Sequence, residues 1–170
     1  MRKTFFAGTA LAALLVGGAA LAQDKASQSF LTEAIEGNLA EIQMGQLAQK
    51  NGSSDAVKQF GQMLQKDHGE ANQKATSVAN SMGVTAPTQP NRKQKATYDR
   101  LAKLSGKQFD RAFAKDMVAD HKADIKAFQK EATRNDAAGT FAKESLPTLQ
   151  KHLQAAQSLQ STSTTGRATH

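Results

Sequence analysis

The sequence predicts an all-α protein, folded as an antiparallel four-helix bundle, and three observations support this prediction. The chain after residue 22 is rich in Ala, Gln, Lys, Leu and Glu, which favour helices. Its β-branched residues are sparse and never alternate with polar ones over the length of a strand. Apolar residues recur every three or four positions in four long stretches, which Asn, Gly, Ser and Pro separate.

A tight turn joins the first two predicted helices. Helix one is expected over residues 27–50, with Ser27 or Ser29 as its N-cap, and Asn51-Gly52 ends it. Helix two begins after residues 53–55, any of which can cap it, and ends near Gly83.

A longer connection follows, because residues 83–90 contain two prolines. A short extra helix is predicted over residues 93–104, before helix three at residues 107–134. Helix four runs from residue 136 to about residue 160, and Pro147 should kink it or separate its first turns. Four long helices with such connections predict an antiparallel bundle with a short helix between helices two and three.

The amino terminus has the pattern of a signal peptide over residues 1–22. Arg2 and Lys3 precede an apolar stretch, and Ala20-Leu21-Ala22 provides the small residues that signal peptidase accepts. We therefore expect cleavage before Gln23, export to the periplasm or to an outer-membrane-associated location, and no membrane span after cleavage. Residues 23–160 would form the bundle, and residues 161–170 a disordered polar tail.

Composition restricts the classes of function. The chain has 170 residues, enough for one domain with a core, and no cysteine, so disulfides cannot stabilise it. Its net charge of +7 comes from scattered lysines and arginines, which does not predict a nucleic-acid partner. Nucleophile elbows, phosphate-binding glycine loops and nucleotide fingerprints are missing from the sequence. An envelope protein partner or a second copy of the chain stays open.

Three histidines fall on the apolar stripes of three different helices. His68 and His121 each follow an aspartate, Asp67 and Asp120, and His152 lies in helix four. His121 precedes the turn between helices three and four by nearly the same number of positions as His152 follows it. Because each residue adds a rise of about 1.5 Å, the small difference amounts to a few ångströms along the axis. The three imidazoles should therefore lie at one level of the bundle.

A carboxylate on helix one reaches a similar level. Glu41 precedes the turn between helices one and two by slightly fewer positions than His68 follows it. A site of Glu41, His68, His121 and His152 would suit a divalent zinc, copper, iron or manganese ion. Asp67 and Asp120 would be further ligands, or acceptors that orient an imidazole N–H.

Two alternatives are open at this stage. The aspartates and histidines could form a buried hydrogen-bond network without metal, in a structural or stress-related envelope protein. The site could instead serve a metal-dependent oxidoreductase. The residues do not favour one reaction, so an enzyme is the weaker expectation.

The chain resembles the DUF4142 family, which is grouped with the ferritin-like bundles. The residues that carry the resemblance are Phe30, Ala34, Glu41-Ile42, Val57-Lys58, Phe60, Asp67-His68, Leu104-Ser105-Gly106, Phe109-Asp110, Met117-Val118, Asp120-His121, Leu146-Pro147 and His152. The resemblance implies an exported ferritin-like four-helix bundle. Di-iron members of that group carry Glu-x-x-His, but Gln65 and Val118 stand three residues before His68 and His121. The resemblance therefore does not imply a di-iron oxidase.

Overall fold

The computed structural model describes the backbone of residues 16–165 and the side chains of residues 25–162. This part of the chain contains helices and no strand, so the all-α prediction is confirmed. The helices are α1 (Val16–Asn51), α2 (Asp55–Ser81), α3 (Arg92–Ala102), α4 (Gly106–Glu131) and α5 (Ala137–Thr165).

Helix α1 begins earlier than expected, at Val16 rather than near residue 27. The predicted N-cap role of Ser27 is wrong: this residue is fully buried, and its hydroxyl oxygen lies 2.6 Å from Glu131 Oε1 and 2.8 Å from Asp136 Oδ2, so its single hydrogen donates to one of these carboxylates. No glycine or proline interrupts residues 19–30, so nothing in the local sequence stops the helix. Residues 16–22 of the predicted signal peptide lie in α1, and residues 1–15 lie outside the described residues.

Helices α2 and α3 begin at capping residues that the sequence contains. Ser54 caps α2 and accepts a hydrogen bond from the backbone N–H of Val57 at 3.2 Å. Helix α3 begins with a capping box between Asn91 and Gln94. Helix α4 ends three residues before its expected end, at Glu131.

Helix α5 is continuous through Pro147, so the expected separation of its first turns is not observed. It ends at Thr165 rather than near residue 160. Residues 161–165 of the predicted polar tail are therefore helical, whereas residues 166–170 lie outside the described residues.

The helices pack mainly in two pairs. α1 packs along α2, α4 packs along α5, and α2 also packs against α5, while α3 contacts α1 and α4. α1 and α2 come into backbone contact at two glycines. A Cβ added to Gly45 would stand 2.4 Å from the carbonyl oxygen of Gly61, so only glycine allows this approach.

A polar layer separates two apolar clusters of the core. Along α2 the first cluster ends at Leu64 and the second begins at Ala75. Between these two positions α2 carries His68, which is buried. Helices α1, α4 and α5 also contribute to one cluster on one side of this level and to the other cluster on the other side. The buried polar residues of the layer are Asn38, Glu41, His68, His121 and His152.

Within residues 16–165, none of the helices combines the length and the apolar character that a transmembrane span requires.

Candidate metal centre

Three helices bring His68, His121 and His152 together. The three side chains are 4%, 0% and 0% exposed, and their ring centroids are 5.1 to 5.7 Å apart. Each ring offers one nitrogen to a group in which all three atoms lie within 4.8 Å of one another. This is the arrangement from which a metal ion can be held, and Glu41 is not a member of the group.

One nitrogen of each ring has a hydrogen-bond partner outside the three histidines, and we call these the outer nitrogens. His68 Nδ1 is 2.9 Å from Asn38 Oδ1, and His152 Nε2 is 2.9 Å from Asp67 Oδ2. His121 Nδ1 is 3.0 Å from the carbonyl oxygen of Met117, one turn earlier in α4. All three partners are acceptors, so each of these nitrogens carries the hydrogen and donates it.

The other nitrogen of each ring must then be an unprotonated acceptor in a neutral ring. His68 Nε2, His121 Nε2 and His152 Nδ1 are buried and have no hydrogen-bond partner. Leaving a buried polar atom unsatisfied costs about 1–3 kcal/mol. Three such atoms in one small region are a substantial cost, which a bound cation would offset.

Burial keeps the imidazoles neutral. It lowers the pKa of His68 well below 6.5, with His121 and His152 as further causes. The pKa of His121 falls to about 4, through burial and then His152, although the Met117 carbonyl acts in the opposite direction. Burial also lowers the pKa of His152, while Asp67 opposes the shift. Near neutral pH all three rings are in the form that binds a metal.

The two aspartates of the Asp-His pairs have different surroundings. Asp67 orients His152, an imidazole on a neighbouring helix, as one of the two expected roles requires. Asp120 is exposed and forms no hydrogen bond with a histidine; the Met117 carbonyl, which sequence reasoning did not consider, takes the N–H of His121.

Glu41 is 1% exposed, and no donor reaches either of its carboxylate oxygens. Its pKa is raised well above 4.5, first by burial, then by the negative charges of Asp120 and Asp124, and then by a hydrogen bond to Asp120 that favours the protonated form of Glu41. The pKa of half-buried Asp124 is itself raised to about 7 by burial and by Asp120. Glu41 therefore faces other carboxylates on α4.

Sequence reasoning missed Asn38 and Asp124. Asn38 is 6% exposed, and its signal is a polar residue three positions before Glu41 on the buried side of α1. Asp124 stands three residues after His121, so it lies on nearly the same side of α4.

A cavity of about 270 Å³ adjoins the histidines. His68, His152 and Asp67 line it, and so do the exposed side chains of Lys74 and Glu144. Because exposed residues form part of its wall, the cavity connects two of the three histidines with the surface.

The fold and the site together define a class: an all-α protein whose packed helices bury three histidines around one point. The chain belongs to the DUF4142 family, since the model described as "Domain of unknown function (DUF4142)" matches residues 15–159. The resemblance noted in the sequence is thereby confirmed. A search of curated proteins and a search of solved structures found no match.

Proposed function

We propose that this protein binds one divalent transition-metal ion through His68 Nε2, His121 Nε2 and His152 Nδ1. Two observations carry the proposal: the three rings each bring a nitrogen within 4.8 Å of the others, and each ring has one buried nitrogen without a hydrogen-bond partner. Each ring is already held in the tautomer that a metal requires, by Asn38, Met117 and Asp67 respectively.

The donor chemistry favours zinc, copper or iron. Imidazole nitrogen suits these ions, whereas manganese prefers oxygen donors. Bonds of about 2.0–2.1 Å to zinc place tetrahedral ligand nitrogens about 3.4 Å apart. The present separations reach at most 4.8 Å, so ring nitrogens approach one another by up to about 1.4 Å when the ion binds.

A purely structural hydrogen-bond network is the competing account. It explains the outer nitrogens, because Asn38 and Asp67 bind two of the rings. It explains the inner nitrogens less well, because no protein donor reaches them and one water molecule has only two hydrogens to donate to three acceptors. Metal binding accounts for both sets and is therefore the better proposal.

Three protein ligands leave a coordination position for water or a small molecule. The cavity of about 270 Å³ is lined by His68 and His152 and also by Asn38 and Asp67, the partners of their outer nitrogens. An ion entering through this cavity reaches the buried inner nitrogens when these side chains move. We favour a protein that buffers or carries an ion over an oxidoreductase, because no feature of the cavity selects a substrate.

We further propose that the protein is exported and that its four long helices adopt the ferritin-like arrangement. The pattern of residues 1–22 supports export, and the pairing of α1 with α2 and of α4 with α5 supports the arrangement. Protein recovered from the cell envelope should begin at Gln23; intact Met1 on that protein would contradict export.

Titration of the metal-free protein with Zn²⁺ and Cu²⁺, without an affinity tag, tests metal binding. His68→Ala and His121→Ala each remove one of three ligands, so we expect large losses of affinity. Asp67→Asn retains all three ligands but weakens the orientation of His152, and should cost about 10–100-fold. Lys66→Ala, an exposed neighbour on α2, is the matched control and should bind as the wild type does.

Equal binding by the wild type and both histidine variants, or no binding by any of them, would reject the metal site. Helical circular dichroism of each variant, recorded at the titration temperature, separates lost ligands from lost structure. If the site fails in this test, the hydrogen-bond network becomes the better account of the three histidines.

A further inference from the structure

A second polar cavity lies on the α1 side of α4. It has a volume of about 350 Å³, and its polar and charged lining comprises Glu41, Asn91, Lys93, Gln94, Thr97, Asp116 and Asp120. Lys93 is exposed and lies on α3. None of the three histidines lines it. It contains three carboxylates, and Asp116 among them is paired with Arg100.

Glu41 is the unusual member of this cavity. A carboxylate that is 1% exposed normally has a cation or several N–H donors beside it. No N–H or hydroxyl donor reaches either oxygen of Glu41. Its polar neighbours are carboxylates: Glu41 in its protonated form hydrogen-bonds to Asp120, and the negative charge of Asp124 also acts on it. These neighbours increase the negative charge at the position where Glu41 is buried.

We propose that Glu41 and Asp120 form a second cation site, separate from the three histidines, and that Asp124 adds negative charge nearby without lining the cavity. Carboxylate oxygen favours hard divalent ions, so the ligand class is Mn²⁺, Mg²⁺ or Ca²⁺. Such an ion satisfies both oxygens of Glu41 and neutralises its carboxylate neighbours. The cavity leaves room for the water ligands that these ions retain.

The proposal stands independently of the histidine site, because the two sites share no side chain. It also assigns Glu41 differently from the sequence prediction, in which Glu41 is a fourth ligand of the histidine centre. His68→Ala distinguishes the two assignments, since it removes a histidine ligand and leaves every carboxylate in place.

The test is titration of the metal-free protein with Mn²⁺ at pH 7.5, following the electron paramagnetic resonance signal of the free ion. Glu41→Gln and Asp120→Asn each remove one anionic ligand with little change of shape, and should weaken Mn²⁺ binding by about tenfold or more. Asp120 is exposed, so its variant tests the site without a change in the buried core. Glu33→Gln, an exposed site on α1, is the matched control and should have no effect.

Retention of Mn²⁺ binding in His68→Ala, together with its loss in Glu41→Gln and Asp120→Asn, supports the second site. Equal loss in His68→Ala would overturn the proposal and place Glu41 in the histidine centre. A wild type that does not bind Mn²⁺, or an equal effect of Glu33→Gln, would also overturn it. Neither of these results bears on Zn²⁺ binding by the histidines.

Discussion

The metal-free protein should lose stability as the pH falls below 6.5, and His121 should account for a measurable part of the loss. The pKa of His121 is about 4 in the folded protein and 6.5 in the unfolded chain. Because the folded value is the lower one, unfolding takes up a proton between these two pH values. The stabilising contribution is therefore complete above pH 6.5 and is lost as the pH falls.

The size of the effect follows from the two pKa values. One proton taken up on unfolding changes the free energy of unfolding by about 1.4 kcal/mol per pH unit. For pKa values of about 4 and 6.5, His121 contributes a loss of about 2 kcal/mol between pH 7.5 and pH 5. The loss reaches about 3 kcal/mol at pH 4.

Urea unfolding followed by circular dichroism, from pH 7.5 to pH 5 in metal-free buffer, measures this contribution. Glutamine does not titrate, so the stability of His121→Gln should vary less with pH than that of the wild type, by about 2 kcal/mol over this range. A constant loss of packing cancels, because only the change with pH is compared. Lys122→Gln, an exposed neighbour, should leave the wild-type profile intact. If His121→Gln and the wild type have parallel profiles, the imidazole is not held neutral by burial.

Further predictions concern the carboxylate, the glycines and the bound ion. The folded pKa of Glu41 is raised, so its protonated form stabilises the protein at low pH and this contribution is lost as the pH rises from 4.5 through the folded value. In metal-free protein at pH 8, Glu41→Gln should therefore raise the free energy of unfolding by about 1–3 kcal/mol, and a lower value in urea unfolding would contradict this. Gly45→Ala should lower the free energy of unfolding by about 2 kcal/mol or more, because the new Cβ meets the carbonyl oxygen of Gly61 at 2.4 Å. The control is Gly69→Ala, where the new Cβ has no atom within 4 Å, so the free energy of unfolding should rise by about 0.5–1 kcal/mol. Equal changes in stability in Gly45→Ala and Gly69→Ala would refute the close packing of α1 on α2. Zn²⁺ at about 1,000 times its Kd should raise the free energy of unfolding by about 4 kcal/mol. An unchanged melting temperature would show that the ion does not prefer the folded state.

The helices and the level of the histidines could be predicted from the sequence because both depend on local periodicity. Ser54 and Asn91 cap their helices by accepting hydrogen bonds from residues three positions later. Such short-range interactions can be predicted from a single sequence. His68, His121 and His152 meet because helices of nearly constant rise place equal residue counts at equal heights. In packed helices that share a turn, residues at equal counts from the turn therefore lie close together.

The outer partners of the histidines could not be predicted in the same way. Asn38 reaches His68 from another helix, and this contact depends on how the two helices are rotated about their axes. His121 uses a backbone carbonyl, which leaves no signal in the sequence. The start of α1 was missed because Ser27 looks like a cap, whereas its partners, Glu131 and Asp136, are far away along the chain.

The most direct test of the central claim is a crystal structure of the zinc-loaded protein, with anomalous diffraction measured on both sides of the zinc absorption edge. We expect one anomalous peak about 2.0–2.1 Å from His68 Nε2, His121 Nε2 and His152 Nδ1. Their other ring nitrogens should stay on Asn38, Met117 and Asp67. A zinc peak elsewhere, with the three inner nitrogens hydrogen-bonded to water, would contradict the proposed metal centre.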